Sequence, residues 1–559
     1  MYQEFRNLRS PDVPCDQNIF AMKLRTLTMN PKTIIPILLS AVLITACKPS
    51  GESLKLVEVE GGRVEGTVEE GITVFKGIPF AAPPVGPLRW RPPRPAEPWD
   101  TILRAGDYAP ACPQMHVSYP GAPEMETSED CLYLNVWTPA GSSGDKFPVM
   151  VWIYGGGFAM GSTSVPSYSG EELAKMGVVV VSIAYRVGAL GFLAHPELSA
   201  ESEHGISGNY GLLDQIAGLE WVQANIEKFG GDPERVTIFG ESAGGISVSM
   251  LAASPLCEGL FARAISQSGG NFGPVSTGQR GDGIQLLEGA EQTGVEFAAR
   301  MGARNLAELR ETDPGEWMDD PLSQMGGFWP VVDGYVITGD QYRQYQQGRY
   351  NDVDVIIGTN SDEGSMFVRP SDPAQYKLNI RQRFGPFAGR ILELYPGNTE
   401  RETFTSSADL FREIAFAWPS WTWARLQSET GDSRVFIYYF NQQQPASPFS
   451  SYKPRGAGHG AEIGYVFRNL GQDENSPYSE EDLELSRMMA TYWTNFARTG
   501  DPNGEGLPRW PEFEEGEPTV LYLNGSPQPG PVPNIEKLRL MEEYFTWLRE
   551  EGLWKKFQL

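Results

Sequence analysis

The sequence predicts an α/β fold: a large, mostly parallel central sheet with helices on both faces. Three observations carry this. In the first half of the chain, strand-like apolar runs alternate with helix-compatible ones, the order that produces parallel sheets. Val178 to Ala184 is almost wholly apolar, as a strand covered on both faces requires. Finally, Val236 to Phe239, then Gly240-Glu241-Ser242-Ala243-Gly244, then Ile246 to Ala253 read as strand, sharp turn and helix.

Size and composition agree with this class. The chain has 559 residues, enough for one large α/β domain with insertions. It is 40% hydrophobic and 21% charged, with a net charge of -26. No basic footprint for nucleic acid is present. The five cysteines form no C-x-x-C pair and the four histidines are scattered, so no structural zinc site and no cofactor is expected.

The N-terminus reads as a targeting segment. Ile34 to Ala46 is an apolar run preceded by Lys23, Arg25 and Lys32, too short to span a bilayer comfortably. Residues 1–46 are expected to be a signal peptide, with the true start at Met22 or Met29. The run ends Leu43-Ile-Thr-Ala-Cys47, which resembles a bacterial lipobox. Cys47 is then the expected lipidation site, residues 47–53 a tether, and the location the periplasm or outer membrane. An ordinary secretory signal is the alternative.

Residues 54–559 read as one domain. Leu54 to Phe75 alternates around Gly61-Gly62, giving a hairpin and a further strand. The Pro- and Gly-rich stretch to Trp90 is an ordered loop. Cys112 and Cys131 lie 19 positions apart. In an exported protein they are placed to form a disulfide worth about 3 kcal/mol in the chain-entropy model; otherwise they are two free thiols. Leu132 to Trp137 and Pro148 to Ile153 are strands, and the second runs into Gly155-Gly156-Gly157. Three glycines after a buried strand suggest backbone N–H groups presented to a ligand. A dinucleotide loop fails on spacing, because Met160 stands where a glycine is needed. Asn209 opens a helix through Ile226 that leads to the Ser242 turn.

The second half supplies helical insertions near residues 271–330 and 370–430, with Glu288 to Arg310 and Pro373 to Glu429 reading as helical. Strands are expected at Val353 to Ile357, Val435 to Phe440 and Thr519 to Leu523. Gly456 to Gly460 is a loop around His459. Helices follow at Ser486 to Arg498 and Glu536 to Leu548.

The G-x-S-x-G turn holds a serine in a strained conformation with small residues two before and two after it. A hydroxyl needs a general base. His459, between glycines after a late strand, is the best placed of the four histidines. His116, His195 and His204 read as surface or structural. The orienting acid belongs between serine and histidine in the chain. Glu363 sits just past a strand end; Asp362 is the alternative.

In these motifs the chain resembles the type-B carboxylesterases, an α/β-hydrolase family that includes cholinesterases and bacterial para-nitrobenzyl esterases. The motifs are Phe75-x-Gly-Ile-Pro-Phe-Ala81, Ser128-Glu-Asp-Cys-Leu-Tyr-Leu-Asn135, the Gly155–Gly157 run, Phe229-Gly-Gly-Asp-Pro233 and Gly240-Glu-Ser-Ala-Gly-Gly245. The resemblance spans roughly Val57 to Trp547. It implies an α/β-hydrolase fold with helical insertions over the active site. It also implies a triad of Ser242, His459 and Glu363, and an oxyanion hole from the N–H groups of Gly156, Gly157 and Ala243. Glu241 and Ser268 are expected to border the triad. Arg89 with Glu129, and Arg186 with Asp214, are expected as structural ion pairs. The implied substrate is a small to medium, largely uncharged ester.

Two alternatives stand beside this reading. One is an inactive binding or adhesion protein of the same fold; the other is a hydrolase of amides, lactones or carbamates. Cholinesterase activity is not implied. Those enzymes hold a cation on a tryptophan between the first two cysteines, where this chain has only Tyr119 among Phe, Trp and Tyr. The aromatic run from Phe411 through Phe416, Trp418 and Trp421 to Trp423 reads as helix-packing core. Alternatively, some of it lines an apolar pocket with Phe328 and Trp329.

Overall fold

The computed structural model describes residues 54–115, 125–276, 284–443, 445, 455–471, 477–514 and 516–551. The expectations for the signal peptide, the tether, Cys47, His116 and Tyr119 lie outside the described residues.

Eleven strands form the central sheet. In chain order they are β1 (Thr67–Glu69), β2 (Ile72–Pro79), β3 (Tyr133–Thr138), β4 (Phe147–Ile153), β5 (Val179–Ile183), β6 (Gly231–Glu241), β7 (Arg263–Gln267), β8 (Asp354–Asn360), β9 (Val435–Phe440), β10 (Thr519–Leu523) and β11 (Gln528–Pro531). Their spatial order is β11-β10-β9-β8-β7-β6-β4-β5-β3-β2-β1. The stretch from β10 to β5 is parallel throughout. The margins are antiparallel. The parallel centre follows from the alternation of strand and helix, since a parallel neighbour needs a crossover.

All five residues of β5 are buried, and so are six of the seven in β4. Successive side chains point to opposite faces, so both faces of the sheet are covered there. This is why Val149 to Ile153 reads as an unbroken apolar run, and Val179 to Ile183 as one interrupted only by Ser182, whose buried hydroxyl accepts from the Asn135 side chain.

The first residues differ from the expected hairpin plus strand. Leu56–Val59 and Gly62–Glu65 do form a hairpin, but they belong to a separate small sheet with Ile102–Arg104. The main sheet begins with a second hairpin, β1 and β2. The expected helix Glu288 to Arg310 is two helices, Leu287–Arg300 and Leu306–Glu311. Gly302 takes a left-handed φ of 72° between them, and the Asn305 side chain caps the second by accepting from Glu308 N–H. The stretch from Pro373 is likewise broken at Gly385, with helices Pro373–Phe384, Ala388–Leu394, Glu400–Arg412 and Trp418–Thr430.

Cys112 and Cys131 are joined by a disulfide. Cys257 is free and buried. Both expected ion pairs are present. Arg89 and Glu129 meet through two bonds of 2.6 Å. Arg186 and Asp214 are wholly buried and bond at 2.7 Å, with the Arg186 backbone N–H adding a third bond to the same carboxylate. Removing one partner of such a pair leaves an uncompensated buried charge.

Candidate active site

The site forms where β4, β6, β7 and β8 end. β6 finishes at Glu241, and helix α1 (Ala243–Ala253) begins one residue later. Ser242 is the hinge between them, at φ 55° and ψ -123°, a region costly for any residue with a side chain. The turn survives because its neighbours are small. A Cβ on Gly244 would lie 2.0 Å from the Ile153 carbonyl oxygen, so β4 and the turn can approach this closely only at a glycine. Ser242 N–H donates to the Gln267 carbonyl at 2.9 Å, which ties the turn to β7. Glu241 and Ala243 are buried, whereas Ser242 stays partly open. Ala243 is the first residue of α1, so its N–H is one of the donors a helix start leaves free.

β4 delivers the glycine loop. Gly156, Gly157 and Phe158 all have positive φ, at 108°, 62° and 59°. The Gly156 carbonyl accepts from Ala159 and Met160 N–H, which closes the loop. Among the described residues, no hydrogen bond uses the N–H of Gly156 or Gly157. A Cβ on Gly156 would meet Met160 O at 2.2 Å, and one on Gly155 would lie 3.0 Å from the Ser242 Cβ. The loop therefore stands directly beside the serine.

Two turns bring in the acid and the histidine. After β8 the chain runs Ser361-Asp362-Glu363, and it is stitched to the loop from Arg455 to His459. Asp362 N–H donates to Ala457 O at 2.7 Å, and Ala457 N–H to Ser361 Oγ at 2.8 Å. Arg455 N–H donates to the Asp362 carboxylate at 2.9 Å, and the Asn360 side chain to Gly458 O at 2.8 Å. Asp362, the alternative acid, thus works as a brace between the two segments. Glu363 faces the imidazole, with its Oε2 2.6 Å from His459 Nδ1. Its other oxygen accepts from Ser268 Oγ and from Asn360 N–H, both at 2.6 Å. Glu363 is fully buried and so fixed from three directions.

The second imidazole nitrogen, Nε2, makes no hydrogen bond within the described protein. It lies 3.3 Å from Glu241 Oε1, next in sequence to Ser242. Nδ1 is thereby committed to the acid, and Nε2 faces the Glu241 carboxyl at the serine turn.

Glu462 joins this group unforeseen by sequence reasoning. It is fully buried and accepts from Gln267 Nε2 at 3.0 Å and from the Asn360 side chain. Its only sequence signal is an acid three residues past His459, beside the apolar Ile463 to Phe467. Three buried carboxyls so surround one imidazole. Burial, with the charges of Glu462 and Glu363, pushes Glu241 up to about 8, against the opposing pull of His459. Burial and Glu363 push Glu462 up as well. For His459, burial favours the neutral ring, but Glu241, Glu363 and the bond to Glu363 outweigh it and raise the ring to about 9.

The aromatic run divides in two. Trp418 and Trp423 are fully buried core. Phe416 stacks on the His459 ring at 4.6 Å, and Phe367, which itself stacks on Phe411, meets it edge-on at 5.2 Å. Trp329 is partly exposed and packs on Phe158 of the glycine loop at 4.9 Å. Phe328 is buried against Phe297.

Among the described residues, the other two histidines stay outside this group. His195 caps a short helix by accepting from Glu197 N–H, and His204 stacks on Tyr335. Among the described residues, no cluster of three or more His, Cys, Asp or Glu is placed to hold a metal.

The sequence model of the carboxylesterase family matches residues 53–542. The chain is 37% identical over 501 residues to the fumonisin B1 esterase of Sphingopyxis macrogoltabida, covering 85% of this chain and 88% of that one. It is 34% identical over 485 residues to the para-nitrobenzyl esterase of Bacillus subtilis (strain 168), covering 84% and 95%. A solved structure of PNB esterase superposes with a TM-score of 0.75 at 32% identity, covering 88% of this chain and all of that one.

Proposed function

The chain belongs to the carboxylesterase family, with the α/β-hydrolase fold, and from that membership we propose that it hydrolyses small to medium, largely uncharged esters through Ser242, His459 and Glu363. The observation that carries this reading is the single line of contacts from Ser268 and Asn360 through Glu363 to His459 Nδ1, which leaves Nε2 without a hydrogen bond, turned to Glu241 next to Ser242.

In the proposed mechanism, Ser242 Oγ attacks the ester carbonyl while His459 Nε2 takes its proton. Glu363 holds the tautomer with the proton on Nδ1 and stabilises the imidazolium once it forms. The oxyanion would be met by the N–H groups of Gly156, Gly157 and Ala243; those of Gly156 and Gly157 make no hydrogen bond among the described residues, and donors fixed in advance need no reorganisation during the reaction. The imidazolium protonates the leaving alcohol. Water then enters, His459 activates it, and the acyl-enzyme is hydrolysed back to free serine and acid. Apolar contacts from Phe158, Trp329 and Phe367 would receive the organic groups of the ester.

Export is part of the proposal: residues 1–46 serve as a signal ending at Cys47, the candidate lipid-attachment site. The Cys112–Cys131 disulfide supports an oxidising location.

The test is hydrolysis of para-nitrophenyl acetate, butyrate and octanoate by wild type and Ser242→Ala. Wild-type turnover with a loss of about 10³-fold or more in the variant is expected. A folded wild type that hydrolyses none of them overturns the assignment in favour of a binding protein, and a variant as active as wild type removes Ser242 as the nucleophile.

A further inference from the structure

The segment that follows helix α2 (Glu400–Arg412) is a π-helical turn, Glu413–Ala417, and helix α3 (Trp418–Thr430) continues from it. Pro419 explains the change of winding. It has no N–H to give to the carbonyl four residues back, and its ring crowds that carbonyl. Such single turns recur at functional sites because they redirect one side chain without ending the helix.

The side chain redirected here is Phe416. It is buried, and its ring lies 4.6 Å from the His459 ring at 28° between planes. Phe367 closes another side of the imidazole at 68°. The turn is anchored at its start. Arg412 and Glu413 form a buried ion pair, and Tyr395 OH donates to Glu413. Arg412 Nη1 also donates to the Ser361 carbonyl at 2.8 Å, two residues before Glu363. One anchor therefore sets both the ring that covers the imidazole and the turn that carries the acid.

We propose that Phe416 is a positioning residue for His459: its ring face fixes the plane of the imidazole and favours the imidazolium that forms when Ser242 gives up its proton. The physical basis is twofold. Glu363 holds Nδ1 through one bond, about which the ring can still pivot, and a stacked face removes that freedom. A cation over an aromatic face is also attracted by the negative ring quadrupole. The other charged or titratable groups facing the imidazole are Glu363, Glu241 and Glu462, and none of them lies on the π turn. The ring's contribution is thus separable from theirs.

The inference rests on the triad reading, so the experiment begins with wild type and Ser242→Ala; an inert wild type refutes that reading and leaves no positioning role to assign. Steady-state kinetics on para-nitrophenyl butyrate across pH are then compared for Phe416→Leu, Phe416→Met and Phe416→Tyr. The Leu and Met variants are expected to lose about tenfold in kcat with KM changed less than twofold. Their acidic limb in kcat/KM is expected to move down by about half a pH unit. Phe416→Tyr, which keeps the ring, is expected to restore both. The role is overturned if Leu and Met keep wild-type kcat and limb, if Tyr falls as far as Leu, or if only KM changes. Should Leu unfold, Met decides, because it fills a similar volume without a ring.

Discussion

Gly156→Ala is a direct test of the glycine loop. A Cβ at this position falls 2.2 Å from the Met160 carbonyl oxygen. Real Cβ contacts essentially never come under 3.0 Å, so one partner must retreat by at least the difference, 0.8 Å. The obstacle is backbone and cannot swing aside. Met160 is itself bonded back to Gly156 O, so the loop moves as a unit and takes the Gly156 and Gly157 N–H groups with it. The residue also sits at φ 108°, which alanine avoids. A donor displaced by nearly 1 Å no longer meets the oxyanion. Loss of one such donor costs about 3 kcal/mol of transition-state stabilisation, roughly two orders of magnitude in kcat. KM should change little, because the contact is made to charge that develops only on the way to the tetrahedral intermediate. The assay is kcat and KM on para-nitrophenyl butyrate, with thermal unfolding alongside. A variant with native unfolding and kcat within threefold of wild type would show that these N–H groups do not hold the oxyanion.

Two further outcomes are expected. The active base is neutral His459, so kcat/KM should fall as pH drops through its raised pKa. Glu241→Gln removes one of the charges that raise it, and the acidic limb should move to lower pH; a limb that stays put or rises refutes the coupling. Replacing Cys112 and Cys131 together by alanine frees a loop of sequence separation 19. The expected loss is about 3 kcal/mol, or roughly 3 °C in Tm for a domain of this size, measured by calorimetry; an unchanged Tm refutes it.

The sequence carried the sheet centre and the triad candidates for a common reason. Buried parallel strands demand apolar runs, and the elbow demands glycines at fixed offsets, so both leave local marks. Ser242, His459 and Glu363 each stand just past a strand or between glycines, where side chains are presented rather than packed. Glu462 and Phe416 left no such mark. Glu462 earns its place only by burial against Gln267 and Asn360, residues far from it in the chain. Phe416 reads as one more aromatic in a helical run until Pro419 widens the turn. The strand Ile102–Arg104 was missed because three residues with exposed or half-exposed side chains show no period. The choice between Glu363 and Asp362 depended on which neighbour turned inward, and that is fixed by the stitching of Asp362 to Ala457 and Arg455.

That stitching also governs when the protein can first work. The bond between Glu363 and His459 spans 96 positions. During synthesis the Ser242 elbow and its glycine loop leave the ribosome long before either partner exists. At about 5–20 residues per second, His459 follows Ser242 by some tens of seconds at the slow end. A nascent chain in that interval carries the serine and no base, so it is silent toward any ester it meets. A truncation between Ser242 and His459 would likewise leave the serine without its base.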